Sequence, residues 1–140
     1  MRSLAFRVPG DPRPQGSKRV LPHPSTGRAL LVESAGPALK AWRGVVTLLG
    51  RKAIGGRPFS GAVAVMLVFH LRPPREIPRG RVAPTVRPDV DKLARAALDG
   101  LTAAGVWGDD AQVVHLTARK VYAARHEDPW TDVLIEEAAL

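Results

Sequence analysis

The chain has 140 residues, 45% of them hydrophobic, and no cysteine. That length suits one folded domain over 1–140, and the missing cysteine excludes disulfides, thiolate catalysis and cysteine-held zinc. Lys and Arg outnumber Asp and Glu by 21 to 13, a net charge of +8. The excess is lopsided: residues 1–88 carry 16 basic and 3 acidic side chains, residues 89–140 carry 5 and 10. A strongly basic first part points to a polyanion, nucleic acid first, although a merely soluble basic surface has the same composition. No segment approaches the roughly 18 apolar residues of a membrane span. The opening MRSLAFRVPGDPRP lacks a signal-peptide core, so the expected setting is the cytoplasm.

In SLAFRVPG, Leu4, Phe6 and Val8 alternate with Ser3, Ala5 and Arg7, the period of a half-buried strand that ends at Pro9-Gly10. DPRPQGSKRVLPHPSTGR is rich in Pro, Gly and Ser and carries Arg13, Lys18, Arg19 and Arg28. It reads as a basic loop, followed by a short strand at ALLVE. Ser34 and Pro37 mark a helix entry, with serine as cap and proline in the first turn. Leu39, Trp42, Val45, Val46 and Leu49 then recur at helical spacing until Gly55-Gly56. GAVAVMLVFHL, 61–71, is a valine-rich apolar run that predicts a central strand buried on both faces. Residues 72–88 hold five prolines and Arg72, Arg75, Arg79, Arg81 and Arg87, a second basic loop. A second helix starts near Asp89 and packs through Leu93, Ala96, Ala97, Gly100, Leu101 and Ala104 before Gly105 ends it. AQVVHLTARKVYA reads as a strand with Val114, Leu116, Ala118, Lys120 and Tyr122 on one face, and PWTDVLIEE as a last strand. The order predicts an α+β domain, a mixed sheet with two main helices packed on it.

Five of the 13 acids fall between residues 89 and 110. Asp89 and Asp91 stand at a helix start, where free amides and the macrodipole favour anions. Asp109 and Asp110 stand in the turn after that helix. One reading makes them caps and turn residues, with Arg95 in a surface pair with Asp91 or Asp99. The other makes them ligands, because carboxylates without Cys or paired His suit a hard divalent cation such as Mg²⁺. Such an ion activates water and stabilises the leaving oxygen of a phosphodiester. Arg95, four residues after Asp91, shares its helix face and is available to neutralise phosphate charge. Spacing alone leaves both readings open. The four histidines, His23, His70, His115 and His126, have no ligand spacing. Trp42, Trp107 and Trp130 are read as packing residues rather than platforms for bases.

From Arg87 to Lys120 the chain resembles the RusA family of Holliday-junction resolvases, crossover junction endodeoxyribonucleases of which many are phage- or prophage-encoded. The motifs stand as DVDKLAR (89–95), DGL (99–101), DDAQV (109–113) and Lys120. The PRPQGSKR stretch near the start is similar to the opening loop of some members. The resemblance implies a RusA-like fold and a homodimer that resolves Holliday junctions by paired symmetric nicks in DNA recombination and repair. It carries the catalytic, Mg²⁺-binding aspartates onto Asp89, Asp91 and Asp110, with Mn²⁺ as a substitute, and leaves Asp109 as the adjacent acid. Two positions depart from the motif: Lys92 stands where Asn is commoner, and Arg95 where the catalytic Lys is. Arginine keeps the charge but stays protonated, so proton donation at 95 is not expected. Lys92 and Lys120 are expected against the scissile phosphate. Arg13, Lys18, Arg19, Arg75 and Arg87 are expected on DNA, the two basic loops straddling the junction arms. The rival readings are a non-catalytic basic DNA-binding module and a nuclease of broader flap or fork specificity.

Overall fold

The computed structural model describes residues 1–16, 18–33 and 36–139, with the strand residues 18–21 and 29–33 described by their backbone alone. Four strands form a mixed sheet: β1 (Ser3–Pro9), β4 (Val63–Leu71), β5 (Val113–Tyr122) and β6 (Trp130–Glu137), in the order β1-β6-β4-β5. The pairs β1·β6 and β6·β4 are antiparallel and β4·β5 is parallel. Strands β2 (Lys18–Pro22) and β3 (Ala29–Glu33) make a separate hairpin. Sequence periodicity finds β3 but reads β2 as loop. The turn between them is organised by His23, whose Nδ1 accepts from the backbone N–H groups of Ser25 and Thr26 at 3.2 and 3.3 Å.

Helix α1 (Pro37–Ile54) buries Leu39, Trp42, Val46, Gly50 and Ile54, a stripe at helical spacing. Its cap position is Gly36; the Ser34 expected there lies outside the described residues. Proline at the first turn and Gly55 at φ 62° mark its ends, and Arg51 and Lys52 suit the negative end of the dipole. Helix α2 (Val90–Ala103) buries Leu93, Ala94, Ala96, Ala97, Gly100 and Leu101. It crosses α1 closely because Gly100 has no side chain: a Cβ there would lie 2.9 Å from a Val46 methyl. Thr47 Oγ1 donates to the Gly100 carbonyl at 2.9 Å in that gap. Full burial of Leu93 and Leu101 contributes about 1.5–3 kcal/mol each.

Both helices cover one face of the sheet. Parallel neighbours β4 and β5 need a crossover connection, and α2 supplies it. The register aligns Leu116, Ala118, Lys120 and Tyr122 of β5 with Val65, Leu67, Phe69 and Leu71 of β4, four of the five residues expected on one face; the fifth, Val114, is skipped by a bulge opposite Val63-Ala64 and is exposed. β4 is central, as its composition suggests, but it is buried on one face only. Val63, Val65, Leu67, Phe69 and Leu71 are buried, whereas Met66 is 45% exposed. No described element covers the second face, so its apolar Ala64, Met66 and Val68 do not report burial. Toward one end of that face, His70 stacks on Trp130 at 3.8 Å and the Arg7 guanidinium lies 4.5 Å from the Trp130 ring. Asp132 takes His70 Nε2 at 2.8 Å, Trp130 Nε1–H at 3.2 Å and Arg7 Nε–H at 3.3 Å. Trp42 and Trp107 are buried in the core, as expected of packing residues. No described helix is long and apolar enough to cross a membrane.

Candidate functional site

Asp89 occupies the cap position of α2 but makes no side-chain cap hydrogen bond. Its carboxylate faces Lys92, with Nζ 3.5 Å from Oδ2. Asp91, in the first turn, lies on a different part of the helix surface, in line with Ala94, Arg95 and Leu98. Those residues form one wall of a groove of about 430 Å³. Leu116 and Ala118 of β5 supply its apolar floor, and Asp110 reaches it from the turn before β5. Asp91 and Leu98 are seven residues apart, so the groove follows α2 for roughly 10 Å at about 1.5 Å per residue.

The two adjacent acids of the turn have separate duties. Asp109 caps a 3₁₀ turn, Asp110–Gln112: its Oδ1 accepts from the Ala111 N–H at 2.9 Å. Gln112 Oε1 accepts from the backbone N–H groups of Gly108 and Asp109 at 2.8 and 3.3 Å, closing a capping box. Gln112 Nε2 donates to the Phe59 and Gly61 carbonyls at 2.9 and 3.0 Å, which ties the turn to the segment entering β4. With Asp109 committed, Asp110 is left to face the groove. Hydrogen bonding to Asp109 holds the Asp110 carboxyl above the ordinary aspartate range, with partial burial and the charges of Asp109 and Asp99 acting in the same direction. Local negative charge is thus already crowded there.

Asp91, Arg95 and Asp110 thus line one groove, and Asp89 is not part of its lining. Among the described residues no group of three or more His, Asp or Glu is placed to hold a metal ion. The expected convergence of three carboxylates is not seen: Asp89 pairs with Lys92 outside the groove lining. Arg95 makes no ion pair with Asp91 or Asp99 among the described residues, so the surface-pair reading is not what the fold shows. Lys120 does not line the groove. Its Nζ donates to the Val86 and Pro88 carbonyls at 2.6 and 2.8 Å, fastening the loop that precedes α2. Lys92 likewise lies outside the groove lining.

The expected DNA-contact residues divide. Arg13 and Arg87 share a second pocket. Arg75 lies outside that pocket, and its backbone carbonyl accepts from Arg125 Nη1 at 3.1 Å. Lys18 and Arg19 stand in β2, their side chains outside the description. Gln15 has no precedent in the sequence reading: it is buried, its N–H donates to the Lys92 carbonyl at 3.0 Å, and its Oε1 accepts from Arg43 Nη1 at 3.0 Å. It seats the first basic loop against the start of α2. Arg81 and Tyr122 line the second pocket; their loop and strand face are legible in the sequence, but nothing there assigns them to a site.

No curated protein matches the chain. A family model does, the one described as endodeoxyribonuclease RusA, over residues 9–135. The matched range takes in the acidic groove and both basic loops. On that extent the chain belongs to the RusA family of endodeoxyribonucleases.

Proposed function

We propose that the protein is a Mg²⁺-dependent, structure-selective endodeoxyribonuclease that resolves Holliday junctions by paired symmetric nicks in DNA recombination and repair. The observation that carries the reading is that Asp91 and Arg95 of α2 and Asp110 of the turn before β5 line one groove. The donor set fits the ion: Mg²⁺ is commonly held by one or two carboxylates, with waters and substrate phosphates completing its shell. Mn²⁺ suits the same oxygens. Asp91 and Asp110 would hold it; the Asp110 pKa is raised by hydrogen bonding to Asp109, by burial and by the charges of Asp109 and Asp99, and the last of these is what a cation offsets. Asp89 is the third expected donor, free once a DNA phosphate draws the Lys92 ammonium away. When bound, the metal supplies an activated water and a Lewis acid for the leaving oxygen.

The remaining chemistry belongs to the chain. Arg95, always protonated, offsets charge on the scissile phosphate and donates no proton to it. Arg13, Lys18, Arg19, Arg75 and Arg87 grip phosphates, which fixes position without reading bases. Lys120 acts at one remove, by holding the 86–88 carbonyls. Two symmetric nicks need two sites related by a two-fold axis, so the working form is a homodimer, acting in the cytoplasm.

The test is a synthetic four-way junction. Wild type should nick it symmetrically with Mg²⁺ and leave it intact in EDTA, and should cut flap and linear duplex less. Asp91→Asn should stop cutting while junction binding persists. Cutting that survives this change defeats the site assignment. One observation favours a second reading, a DNA-binding module without turnover: Lys92 neutralises Asp89 where the family motif has asparagine. Wild type that binds the junction in Mg²⁺ but never cuts it would select that reading.

A further inference from the structure

The start of the first basic loop meets the second. Residues 11–14, after β1, and 72–88, after β4, line one pocket of about 400 Å³ at the end of the sheet where β4 and β5 stop. Arg13, Arg72, Arg81 and Arg87 bring four guanidiniums to it, and Leu71 and Tyr122 give it an apolar floor. Most of the remaining lining is proline. Among the described residues, Arg13, Arg81 and Arg87 have no acidic partner, and Arg72 reaches Asp128 only at 3.8 Å. The Tyr122 hydroxyl is buried with no hydrogen-bond partner among them.

Uncommitted guanidiniums over an apolar floor suit a ligand with an anionic end and a flat apolar face. A phosphate alone would leave the floor unused, and a duplex cannot enter a volume near the lower end of the roughly 300–1,000 Å³ range of small-ligand pockets. A single nucleotide uses both parts. Its phosphate takes the guanidinium forks, and its base, out of the helical stack, regains contact against the proline rings and Tyr122. The pocket also lies beside the acidic groove: Val86 and Pro88 line one, Val90 and Asp91 the other. Lys120 fixes the wall between them through the Val86 and Pro88 carbonyls. A strand with one phosphate against Asp91 and Asp110 therefore has a neighbouring nucleotide in reach of the arginines.

We infer that this pocket takes one unpaired nucleotide of the strand being cut, phosphate on the arginines and base against Leu71 and Tyr122. The inference rests on the DNA-cutting reading but is tested apart from it. The probe is a four-way junction carrying 5-iododeoxyuridine at successive positions around the exchange point, bound in EDTA and irradiated, with the crosslinked peptides sequenced. One position on the strand to be cut should crosslink to a peptide from 71–74, 81–88 or Tyr122. Val86→Trp, which fills the pocket, should abolish that crosslink and leave those elsewhere. Arg81→Ala should weaken junction binding about tenfold, the scale of one lost charge-assisted hydrogen bond to phosphate. Crosslinks confined to other surfaces, or a Val86→Trp protein with an unchanged crosslink map, overturn the inference. If the junction is cut in Mg²⁺ and the pocket never crosslinks, the inference alone falls. If the pocket crosslinks and nothing is cut, nuclease activity alone falls. A protein that binds no junction ends both.

Discussion

The two pockets on either side of residues 86–90 are built from opposite charges. The groove along α2 holds Asp91 and Asp110 with one cation, Arg95. The pocket between the basic loops holds four arginines with one acid, Asp11. A chain with surplus arginine has every opportunity to neutralise its carboxylates, and here it keeps the two sets a few residues apart. Lys120 maintains the partition by holding the Val86 and Pro88 carbonyls. The charges of Asp109 and Asp99 press on Asp110, a cost that a bound cation relieves. Guanidiniums left unpaired wait for phosphate. Separate placement means that cutting and gripping should respond to different substitutions.

The largest expected effect tests that separation directly. Asp91→Asn removes a charge from the groove and touches nothing in the other pocket. Cleavage of a four-way junction should fall by about a thousandfold or more, the scale on which electrostatic groups act in a reaction, while affinity stays within a fewfold of wild type. Equal losses of cutting and binding would break the comparison. Next is Gly100→Ala, whose new Cβ would lie 2.9 Å from a Val46 methyl and 3.2 Å from the Arg43 carbonyl. Pushing α2 off α1 should cost about 1–3 kcal/mol in a denaturant titration, because overpacking is not absorbed by a close-packed core. The groove moves with α2, so cutting should drop more than binding. Lys120→Met should cost less, about 1–2 kcal/mol for charge-assisted hydrogen bonds that are partly solvated. It loosens the shared wall, so cutting and binding should fall together. A Lys120→Met protein that loses cutting alone would return the ammonium to the scissile phosphate.

How much of this was legible depends on the range of the signal. The one-face set of β5 from Leu116 to Tyr122 and the apolar stripe of α2 are local periodicities, and both stand where the alternation and the 3.6-residue repeat put them; Val114 falls out of the set at a bulge that alternation does not announce. The strand at 61–71 shows the limit of that method. Its continuous apolar run implies two covered faces, yet only an element on the other side of the sheet decides whether Met66 is buried, and no described element is there. Within the candidate site, periodicity could not say whether the turn at Asp109-Asp110 returns alongside α2; the parallel pairing of β4 and β5, which makes α2 a crossover, is a long-range fact that puts Asp110 on the groove lined by Asp91. The separation of Asp109 from Asp110 was not foreseeable either. It depends on Gln112, a residue with no charge to draw notice, closing a box on the Gly108 and Asp109 amides. The diversion of Asp89 to Lys92 is a competition between two nearby charges, and sequence names the competitors without ranking them. The meeting of loops 11–14 and 72–88 lay furthest from view, because prolines carry no periodicity and the contact joins segments about sixty residues apart.

The smallest expected effect concerns protons, and it contrasts Asp110 with Asp132. Asp110 has its carboxyl raised by hydrogen bonding to Asp109, by partial burial and by the charges of Asp109 and Asp99. Its charged form is therefore disfavoured in the fold relative to the unfolded chain, whose value is about 3.9. In metal-free protein this penalty is present above the folded-state pKa and disappears as pH falls through it. Cation holding runs the opposite way, since the proton that relieves the penalty removes the ligand. Asp132 has the reverse sign: burial would raise it, but hydrogen bonds from His70 and Trp130 and the charges of His70 and Arg7 prevail and lower it. Its stabilising contribution is full above about 3.9 and is lost as pH falls through the lower folded value. Carboxyl-carbon NMR of the metal-free protein should show Asp110 titrating above the ordinary aspartate range and Asp132 below it. Asp109→Asn keeps an oxygen for the Ala111 amide and removes the neighbouring charge, so Asp110 should move back down while Asp132 stays in place. An Asp110 that titrates as an ordinary aspartate in both proteins would show that the groove is not crowded with negative charge, and that a cation has nothing there to relieve.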